Sequence, residues 1–314
     1  YRYDGKDRLV EKKLPGKGLD PATAIWHWDL MVYDNQDRLV MTQDGNLKKK
    51  GQWIFTKYDK FSRIAYTGIT TGGTRAVEQN NLNGKGSNNV VRTTEGPAYG
   101  GGVILYYDNL SANNYPNTIT ELLSINYYDT YPPSSPAVPA TILSQEVLQQ
   151  NAQTSVISTK SLPTASFVKN LDQISWTKTY MWYDTKGRAI GTNSVNYLGG
   201  YTNTRSWLDF SGAVKESYTY HKRTSASTET IIKETFSYDH QNRLLVHKHQ
   251  INTNPEEILT QNTYNEIGQL KNKKVGGVIR SAPLQSIDYT YNIRGWMTGI
   301  NTDPNGNFQT SKLF

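Results

Sequence analysis

Aspartates recur along this chain at positions where a carboxylate could act as a general acid or bind Ca²⁺. They are Asp4, Asp34, Asp59, Asp184, Asp209 and Asp239. A Ca²⁺ ion needs roughly six to eight oxygen ligands that converge on one point, whereas each of these short sequence stretches offers one or two. The recurring aspartates are therefore interpreted as turn formers, and neither a catalytic nor a calcium site is predicted from them.

The histidines are the second set that could do chemistry: His27, His221, His240, His247 and His249. His247 and His249 are two residues apart, so both would project from one face of a strand at a spacing that suits a metal. No carboxylate or third histidine lies beside them in sequence, which favours a plain surface strand. His27 and Asp29 could pair, but no nucleophile can be located to use them. The sequence predicts no catalytic residue, no metal site and no cofactor.

Other motifs exclude further classes of protein. The chain has no Cys, so it has no disulfide, no thiolate nucleophile and no Cys-ligated zinc. Gly100, Gly101 and Gly102 are not followed by the Lys-Ser/Thr pair of a phosphate loop. The net charge of +7 and the basic runs at 48–50 and 271–274 carry no reader motif, so no nucleic-acid partner is predicted. Residues 103–107 form the longest apolar run, too short to span a membrane.

The elements that carry these residues are predicted from composition. The chain of 314 residues contains 22 Tyr, 7 Trp and 25 Gly, and its hydrophobic share is 36%. Tyr, Trp, Thr and Val favour strands. The composition therefore predicts an all-β protein with an aromatic core.

A seven-residue pattern, Tyr-Asp-x-x-Gly-Arg-Leu, recurs in one frame. Complete or nearly complete copies begin at Tyr3-Asp4, Tyr33-Asp34, Tyr58-Asp59, Tyr183-Asp184 (with Gly187) and Tyr238-Asp239. Degenerate copies contain Asp209 with Gly212, Tyr264 with Gly268, and Tyr291 with Gly295. Successive copies are 25 to 30 residues apart, except for one gap of 125 residues.

Each copy is predicted to be the turn of an antiparallel β-hairpin. Asp or Asn in the second place favours the start of a type I turn, because its side chain accepts from the backbone two residues on. Gly, Asn or Asp three places later tolerates positive φ; only Ser62 fits poorly. The recurring Arg residues are expected to stack on or pair with neighbouring repeats. Since a single hairpin is marginally stable, neighbouring hairpins must join into one sheet.

These arrays resemble the YD-repeat, or RHS, family, which includes bacterial RHS toxins, the C component of insecticidal toxin complexes and teneurin ectodomains. The likeness covers residues 1–67 and 176–300, and the Tyr-Asn-Ile-Arg-Gly-Trp stretch at 291–296 is similar to endings in large secreted RHS-like proteins of Bacteroidota. The resemblance implies consecutive hairpins in a continuous curved sheet that spirals into a hollow shell or solenoid. In toxin relatives the shell holds a C-terminal effector.

Three regions are predicted within one continuous structural unit of a larger protein: YD repeats at 1–67, a non-repeat insertion at 68–175, and YD repeats at 176–314. The insertion is expected to contain a short helix at 74–82, strands at 103–107 and 120–128, and a stiff Pro-rich connector at 131–139. Asp303-Pro304 is interpreted as a hairpin turn and not as the self-cleavage motif of family members.

The sequence thus favours a non-enzymatic segment of a secreted or cell-surface shell that encloses or presents another part of its own polypeptide. Its expected partners are further repeats and a C-terminal effector, with type IX secretion machinery or surface proteins as weaker suggestions of the resemblance. Two alternatives stay open. One is a surface adhesin that binds glycans or proteins through exposed aromatic rows, and the other is the carrier part of a polymorphic toxin.

Overall fold

The computed structural model describes residues 1–14, 28–108, 113–154, 157–303 and 306–309. His27 and Pro304 lie outside these ranges. Strands make up 49% of the structure and helices 6%. Among the described residues, 18 strands belong to one antiparallel sheet, and two further pairs of short strands stand apart from it. The prediction of an all-β protein built from consecutive antiparallel hairpins is confirmed.

The chain divides into two compact units. Unit 1 comprises residues 1–136 and 159–180. Its sheet is ordered β1 (Arg2–Tyr3), β2 (Leu9–Lys12), β3 (Asp29–Tyr33), β4 (Leu39–Gln43), β5 (Gln52–Tyr58), β6 (Ile64–Thr71), β9 (Glu121–Tyr128), β12 (Pro163–Asn170) and the first part of β13 (Ser175–Tyr183). The strands β9 and β12 come from the predicted insertion, so that segment adds its own strands to the repeat sheet.

The core of unit 1 lies between one face of this sheet and the insertion. On β5 the alternating residues Trp53, Phe55 and Lys57 point inward, and all three are fully buried. Tyr127 of β9 stacks parallel on Tyr107, with ring centroids 5.5 Å apart. Aromatic side chains therefore supply much of the packing, as the composition predicts.

Two helices accompany the sheet of unit 1. Helix α2 (Arg75–Asn83) agrees with the predicted helix at 74–82. Helix α1 (Gly45–Lys49) is not predicted from the sequence; Asp44 caps it by accepting a hydrogen bond from the Leu47 amide at 2.8 Å. Of the basic run at 48–50, Lys48 and Lys49 lie in the last turn of this helix and Lys50 is its C-cap, where cations interact favourably with the helix dipole.

The strand predicted at 103–107 is shorter in the structure. The strand β8 (Val103–Ile104) pairs with β7 (Ala98–Tyr99), across a turn in which Gly101 and Gly102 have positive φ, and Tyr107 forms an isolated bridge with Arg92. The following residues bond elsewhere: the Leu105 amide donates to the Pro97 carbonyl at 3.1 Å. The three glycines are therefore a hairpin turn.

Unit 2 comprises residues 137–158 and 181–314. Its strands follow chain order in the sheet: β14 (Ala189–Val195), β15 (Gly199–Leu208), β16 (Val214–Thr224), β17 (Thr230–Tyr238), β18 (Leu244–Ile251), β19 (Glu257–Tyr264), β20 (Leu270–Val275), β21 (Gln285–Tyr291) and β22 (Met297–Ile300). A short pair, β10 (Thr141–Ile142) and β11 (Gln145–Glu146), and a 3₁₀ turn, η1 (Gln150–Ala152), precede them in this unit.

The sheet of unit 2 is open on its faces. Within the described strands β16 and β17, no side chain is fully buried, and most are only partly covered. The strands are held by their ladders and by cross-strand pairs such as Phe236 of β17 with His247 of β18, whose ring centroids lie 4.4 Å apart.

Each motif turn has the same backbone. The fourth residue of the turn has positive φ in every copy, including Ser62 at 62° and Asn242 at 59°. At Gly187 and Gly268 the values are 75° and 87°. The backbone amide of the first turn residue donates to the carbonyl four places on, as the Asp184 amide does to the Arg188 carbonyl at 2.9 Å.

Gly187→Val is expected to lower the free energy of unfolding by about 1–2 kcal/mol, because a β-branched residue is strained at positive φ. Gly187→Asn is the matched control, since Asn242 occupies the same place in its own turn. Urea denaturation of both variants measures the difference. If the Val variant unfolds at the same urea concentration as the parent, strain at this position does not limit the turn.

Candidate functional site

The aspartate of each complete repeat is saturated by hydrogen bonds within its own turn. Asp34 Oδ1 accepts from the amides of Gln36 and Arg38, both at 2.9 Å. Its Oδ2 accepts from Arg38 Nε and Nη2, both at 2.7 Å. The Asp34 side chain is 1% exposed. Four donors leave this carboxylate no free lone pair for acid–base work, so the arrangement is structural.

The same Asp–Arg pair recurs wherever the motif is complete. Its members are Asp4 with Arg8, Asp59 with Arg63, Asp184 with Arg188, and Asp239 with Arg243. The Arg8 guanidinium holds the pKa of Asp4 at about 2, well below its usual value. The Asp4 carboxylate is thus held in its charged form by the arginine of its own turn.

The arginine also reaches the next repeat along the sheet. The Arg38 guanidinium lies 4.7 Å from the Tyr58 ring centroid, and the Tyr58 hydroxyl donates to the Leu39 carbonyl at 2.8 Å. We call this arrangement a joint: a turn cation over the next motif tyrosine, whose hydroxyl bonds the carbonyl of the residue after the cation. The cation–π contact and the hydrogen bond each add stability. The prediction that the arginines stack on neighbouring repeats is confirmed.

The tyrosine hydroxyl bonds recur in both units. In unit 1 they join Tyr33 to Leu9 and Tyr58 to Leu39; in unit 2 they join Tyr238 to Val214, Tyr264 to Leu244 and Tyr291 to Leu270. The joints of Tyr33, Tyr58 and Tyr264 are complete, with Arg8, Arg38 and Arg243 over the rings at 4.6–5.0 Å. Over Tyr238 the cation is Lys215, one residue after the bonded carbonyl, and before Leu270 the arginine place is taken by Gln269. Tyr183 differs, since its hydroxyl lies 3.7 Å from Met181 Sδ.

Degenerate repeats replace the Asp–Arg pair in three different ways. In the turn that contains Gly268, Asn265 Nδ2 donates to Gln269 Oε1 at 2.8 Å, and Gln269 Nε2 reaches the Gly295 carbonyl of the next turn at 3.2 Å. Trp296 holds the arginine place in the last copy. The copy with Asp209 and Gly212 has Ala213 there, and Lys215 reaches Asp209 instead, at 3.3 Å.

The insertion continues the joints in unit 1. Arg63 pairs with its own Asp59 and with Asp129, and both Nη2–Oδ2 distances are 2.6 Å. The guanidinium lies 4.4 Å from the Tyr128 ring centroid, and hydrogen bonds from Arg63 lower the pKa of Asp129. Tyr128-Asp129 therefore acts like the start of another motif, and its joint borders a cavity of about 220 Å³ that is also lined by Arg92.

Comparisons with known proteins give weak matches. No family model matches the chain, and no curated protein matches it. Among solved structures, the crystal structure of TcdB2-TccC3-Cdc42 is 14% identical, with a TM-score of 0.26 over 86% of this chain and 13% of that one. TcdB2-TccC3-TEV and a Photorhabdus luminescens Tc holotoxin pore with a mutated TccC3 are each 13% identical, with TM-scores of 0.15 over 86% of this chain and 19% of theirs. The chain thus spans less than a fifth of these structures.

The histidines form two separate pairs with glutamates in unit 2. His247 Nε2 lies 2.9 Å from Glu234 Oε1, and His249 Nε2 lies 3.1 Å from Glu257 Oε2. These carboxylates come from the neighbouring strands β17 and β19, so they are not visible beside the histidines in sequence. In the described ranges no three His, Cys, Asp or Glu side chains converge as metal ligands would. None of the described helices is long and apolar enough to cross a membrane.

Sequence reasoning missed one charged residue in the core. Lys57 is fully buried on β5, and its Nζ has no hydrogen-bond partner in the described part of the chain. Burial, with a smaller effect of the Lys85 charge, lowers its pKa to about 7. The inward alternation of Trp53, Phe55 and Lys57 is the signal that could have located it.

The sequence analysis also missed a turn of the motif type between β14 and β15, at the end of β14 opposite to the Asp184 turn. Asn196 begins it between β14 and β15, and its Oδ1 accepts from the amides of Leu198 and Gly200, both at 2.9 Å. In the stretch that begins at Asp303, interpreted above as a hairpin turn, Asp303 Oδ1 likewise accepts from the amide four places on, that of Asn307, at 2.8 Å. The Asp303 amide donates to the Asn307 carbonyl at 2.8 Å, as the Asn196 amide does to the Gly200 carbonyl at 3.0 Å.

Proposed function

We propose that this chain is a non-enzymatic structural segment of a secreted RHS-type shell, which encloses or presents another part of its own polypeptide. The observation that carries the proposal is the joint, because the complete joints of Tyr33, Tyr58 and Tyr264 fix neighbouring hairpins with the same contacts in both units. A cation, an aromatic ring and a carbonyl are used in each joint for cohesion between repeats. Repetition of one such interface builds an extended wall.

The open faces of unit 2 support a role in enclosing a segment. The described strands β16 and β17 are partly covered on both faces and carry Tyr, Ile, Thr and charged side chains in alternation. Such faces remain available to another part of the polypeptide. An effector or other cargo would occupy that position in the toxin-carrier form of the proposal.

Protease protection tests the proposal in the full-length polypeptide that carries this chain. Any enclosed segment is expected to be cleaved at least about tenfold more slowly in the parent than in a variant in which Asp239 and Arg243, the turn pair behind the Tyr264 joint, are both replaced by Ala. The matched control is Gln241→Ala, an exposed position in the same turn. Equal cleavage rates in the parent and the double variant would contradict the enclosing role.

Cell-surface adhesion is the second candidate. A groove of about 580 Å³ in unit 1 is lined by Trp28 together with Arg2, Lys48, Arg75 and Glu11, and Glu11 pairs with Arg2 at 2.9 Å. An aromatic ring beside charged and hydrogen-bonding groups suits a sugar. Most motif tyrosines, by contrast, have one ring face covered by a cation of the preceding repeat. A glycan array with the parent and a Trp28→Ala variant tests this function: hits that disappear in the variant would favour adhesion.

A further inference from the structure

We propose that unit 1 contains a binding site for a small carboxylic acid with a flat apolar body, in the cavity of about 220 Å³ beside the joint of Tyr128-Asp129. The site goes beyond the shell role proposed above and does not depend on it. Arg92, which belongs to the insertion, is the residue that binds the carboxylate.

Two segments of unit 1 form the walls of this cavity. The turn between β5 and β6 contributes Lys60, Phe61 and Arg63, and the insertion contributes Val91, Arg92 and Tyr128. The insertion is fixed against the sheet at this point, because the Val90 amide donates to the Tyr58 carbonyl at 2.9 Å. The cavity therefore lies between two parts of the unit whose backbones are bonded to each other.

The Arg92 guanidinium has donors without acceptors. Its Nε is shielded from water and has no hydrogen-bond partner in the described part of the chain. Its Nη1 donates to the Thr130 carbonyl at 3.3 Å, which is longer than a usual bond of this type. The group lies 4.5 Å from the Tyr127 ring centroid, so an aromatic face supports its plane. Because a buried donor without an acceptor costs free energy, this guanidinium favours a ligand that accepts from it.

The carboxylates of the cavity are engaged by a different arginine. Arg63 donates to Asp59 through Nε at 2.7 Å and to both oxygens of Asp129 through Nη1 and Nη2 at 3.0 and 2.6 Å. Lys60 also lines the cavity. The walls thus carry three cations against two carboxylates, and a ligand with one negative charge balances the surplus.

A carboxylate fits the free edge of Arg92 better than a phosphate does. The Nε–H and one Nη2–H of a guanidinium point in the same direction, and the two oxygens of a carboxylate can accept from both. A phosphate monoester carries about two negative charges near pH 7, which exceeds the surplus of the walls.

The apolar part of the walls selects the body of the acid. Phe61 is 55% exposed and Val91 is 66% exposed, and a flat ring between them removes apolar surface from water. Pockets for drug-sized ligands measure about 300–1,000 Å³, so this smaller cavity suits a compact acid such as benzoate. Its size also favours a free acid over the carboxyl terminus of a polypeptide, because the residues before a terminus need further room.

A ¹⁹F NMR titration of the chain with 4-fluorobenzoate tests the site. We expect a Kd of about 1 mM or below. The neutral 4-fluorobenzamide, which has nearly the same shape, should bind at least about tenfold more weakly.

Substitution of the arginine tests its role in the site. Arg92→Lys should weaken the binding of 4-fluorobenzoate about tenfold, because an ammonium group cannot present two parallel N–H donors. Arg205→Lys is the matched control, since Arg205 is an exposed arginine that lies 4.9 Å from the Tyr220 ring in unit 2. That control should leave the affinity unchanged.

Variants of Val91 keep the test independent of the packing around Arg92. Because Val91 is exposed, its replacement should leave the fold intact. Val91→Glu should weaken the binding of 4-fluorobenzoate about three- to fivefold, and Val91→Lys should strengthen it by a similar factor, with neither affecting 4-fluorobenzamide.

Four results would each overturn the proposal. They are equal affinity for the acid and the amide, no binding at about 20 mM 4-fluorobenzoate, unchanged affinity in Arg92→Lys, and tighter binding of N-acetylphenylalanine, which represents a polypeptide terminus. Failure here together with intact protease protection in the full-length polypeptide would refute this site and leave the shell role standing.

Discussion

Lys57→Met is expected to raise the free energy of unfolding at pH 7 by about 3–5 kcal/mol. The lysine is fully buried among aromatic residues of unit 1 and its Nζ has no hydrogen-bond partner in the described ranges. The titratable groups around it are Lys85, whose like charge opposes protonation, and Tyr66, which stands opposite on β6. Methionine fills a similar volume without the cost of burying an amine.

The stability gained by Lys57→Met should decrease as the pH rises. In the folded chain the pKa of Lys57 is lowered to about 7 from 10.5. Between these values the unfolded chain binds one more proton than the folded chain, so the stability of the parent rises with pH. Below pH 7 both states are protonated and the penalty is constant. The advantage of the Met variant should therefore shrink as the pH rises from 7 to 10.5.

Urea denaturation at several pH values between 6 and 10.5 measures this effect. Lys60→Met is the matched control, since Lys60 is exposed and its replacement removes the same charge. That control should shift stability by less than about 0.5 kcal/mol at every pH. A constant difference between the parent and Lys57→Met across the range would show that the lysine is charged in the fold.

Asp34→Asn is expected to lower the free energy of unfolding by about 3 kcal/mol, because it leaves the Arg38 guanidinium without its anion. The Asp34 and Arg38 side chains are only 1% and 10% exposed, so water cannot replace the lost partner. The amide retains an oxygen for the Gln36 and Arg38 backbone amides. The cost therefore comes from the unpaired cation and not from loss of the turn.

The chain itself contains the compensating pair. Asn265 and Gln269 hold the same two places in their turn and bond each other at 2.8 Å. The double variant Asp34→Asn with Arg38→Gln should thus recover about half of the loss seen in Asp34→Asn. A double-mutant cycle in urea measures the coupling. If the double variant is no more stable than the single one, the neutral pair does not substitute for the ionic pair in this position.

Local chemistry made much of the fold predictable. The Asp or Asn and the Gly, Asn or Asp three places later act within five residues, so the hairpins and their positive-φ residues follow from short stretches of sequence. Helix α2 also follows from local signals. Contacts between distant residues could not be read in the same way: Arg63 meets Asp129 across 66 residues, and Glu234 and Glu257 reach the histidines from other strands.

Lys57 shows why the core is harder to predict than the turns. Its place in the strand alternates with Trp53 and Phe55, yet a lysine is normally read as a surface residue. The insertion that covers this face is remote in sequence, and only the folded structure shows that the amine is enclosed. The sequence likewise gives no sign that Tyr128-Asp129 imitates a motif.

The near-identity of the joints creates a problem of order during folding. A tyrosine ring that packs against any aligned guanidinium could dock onto the wrong hairpin. The chain would then be trapped in a misfolded state, with the skipped hairpin left out of the sheet. The three irregular copies, with Gln269, Lys215 and Trp296 in or near the arginine place, differ from the others and from one another. These differences make the contact surfaces of individual hairpins distinguishable, and each strand therefore pairs more selectively with its proper neighbour.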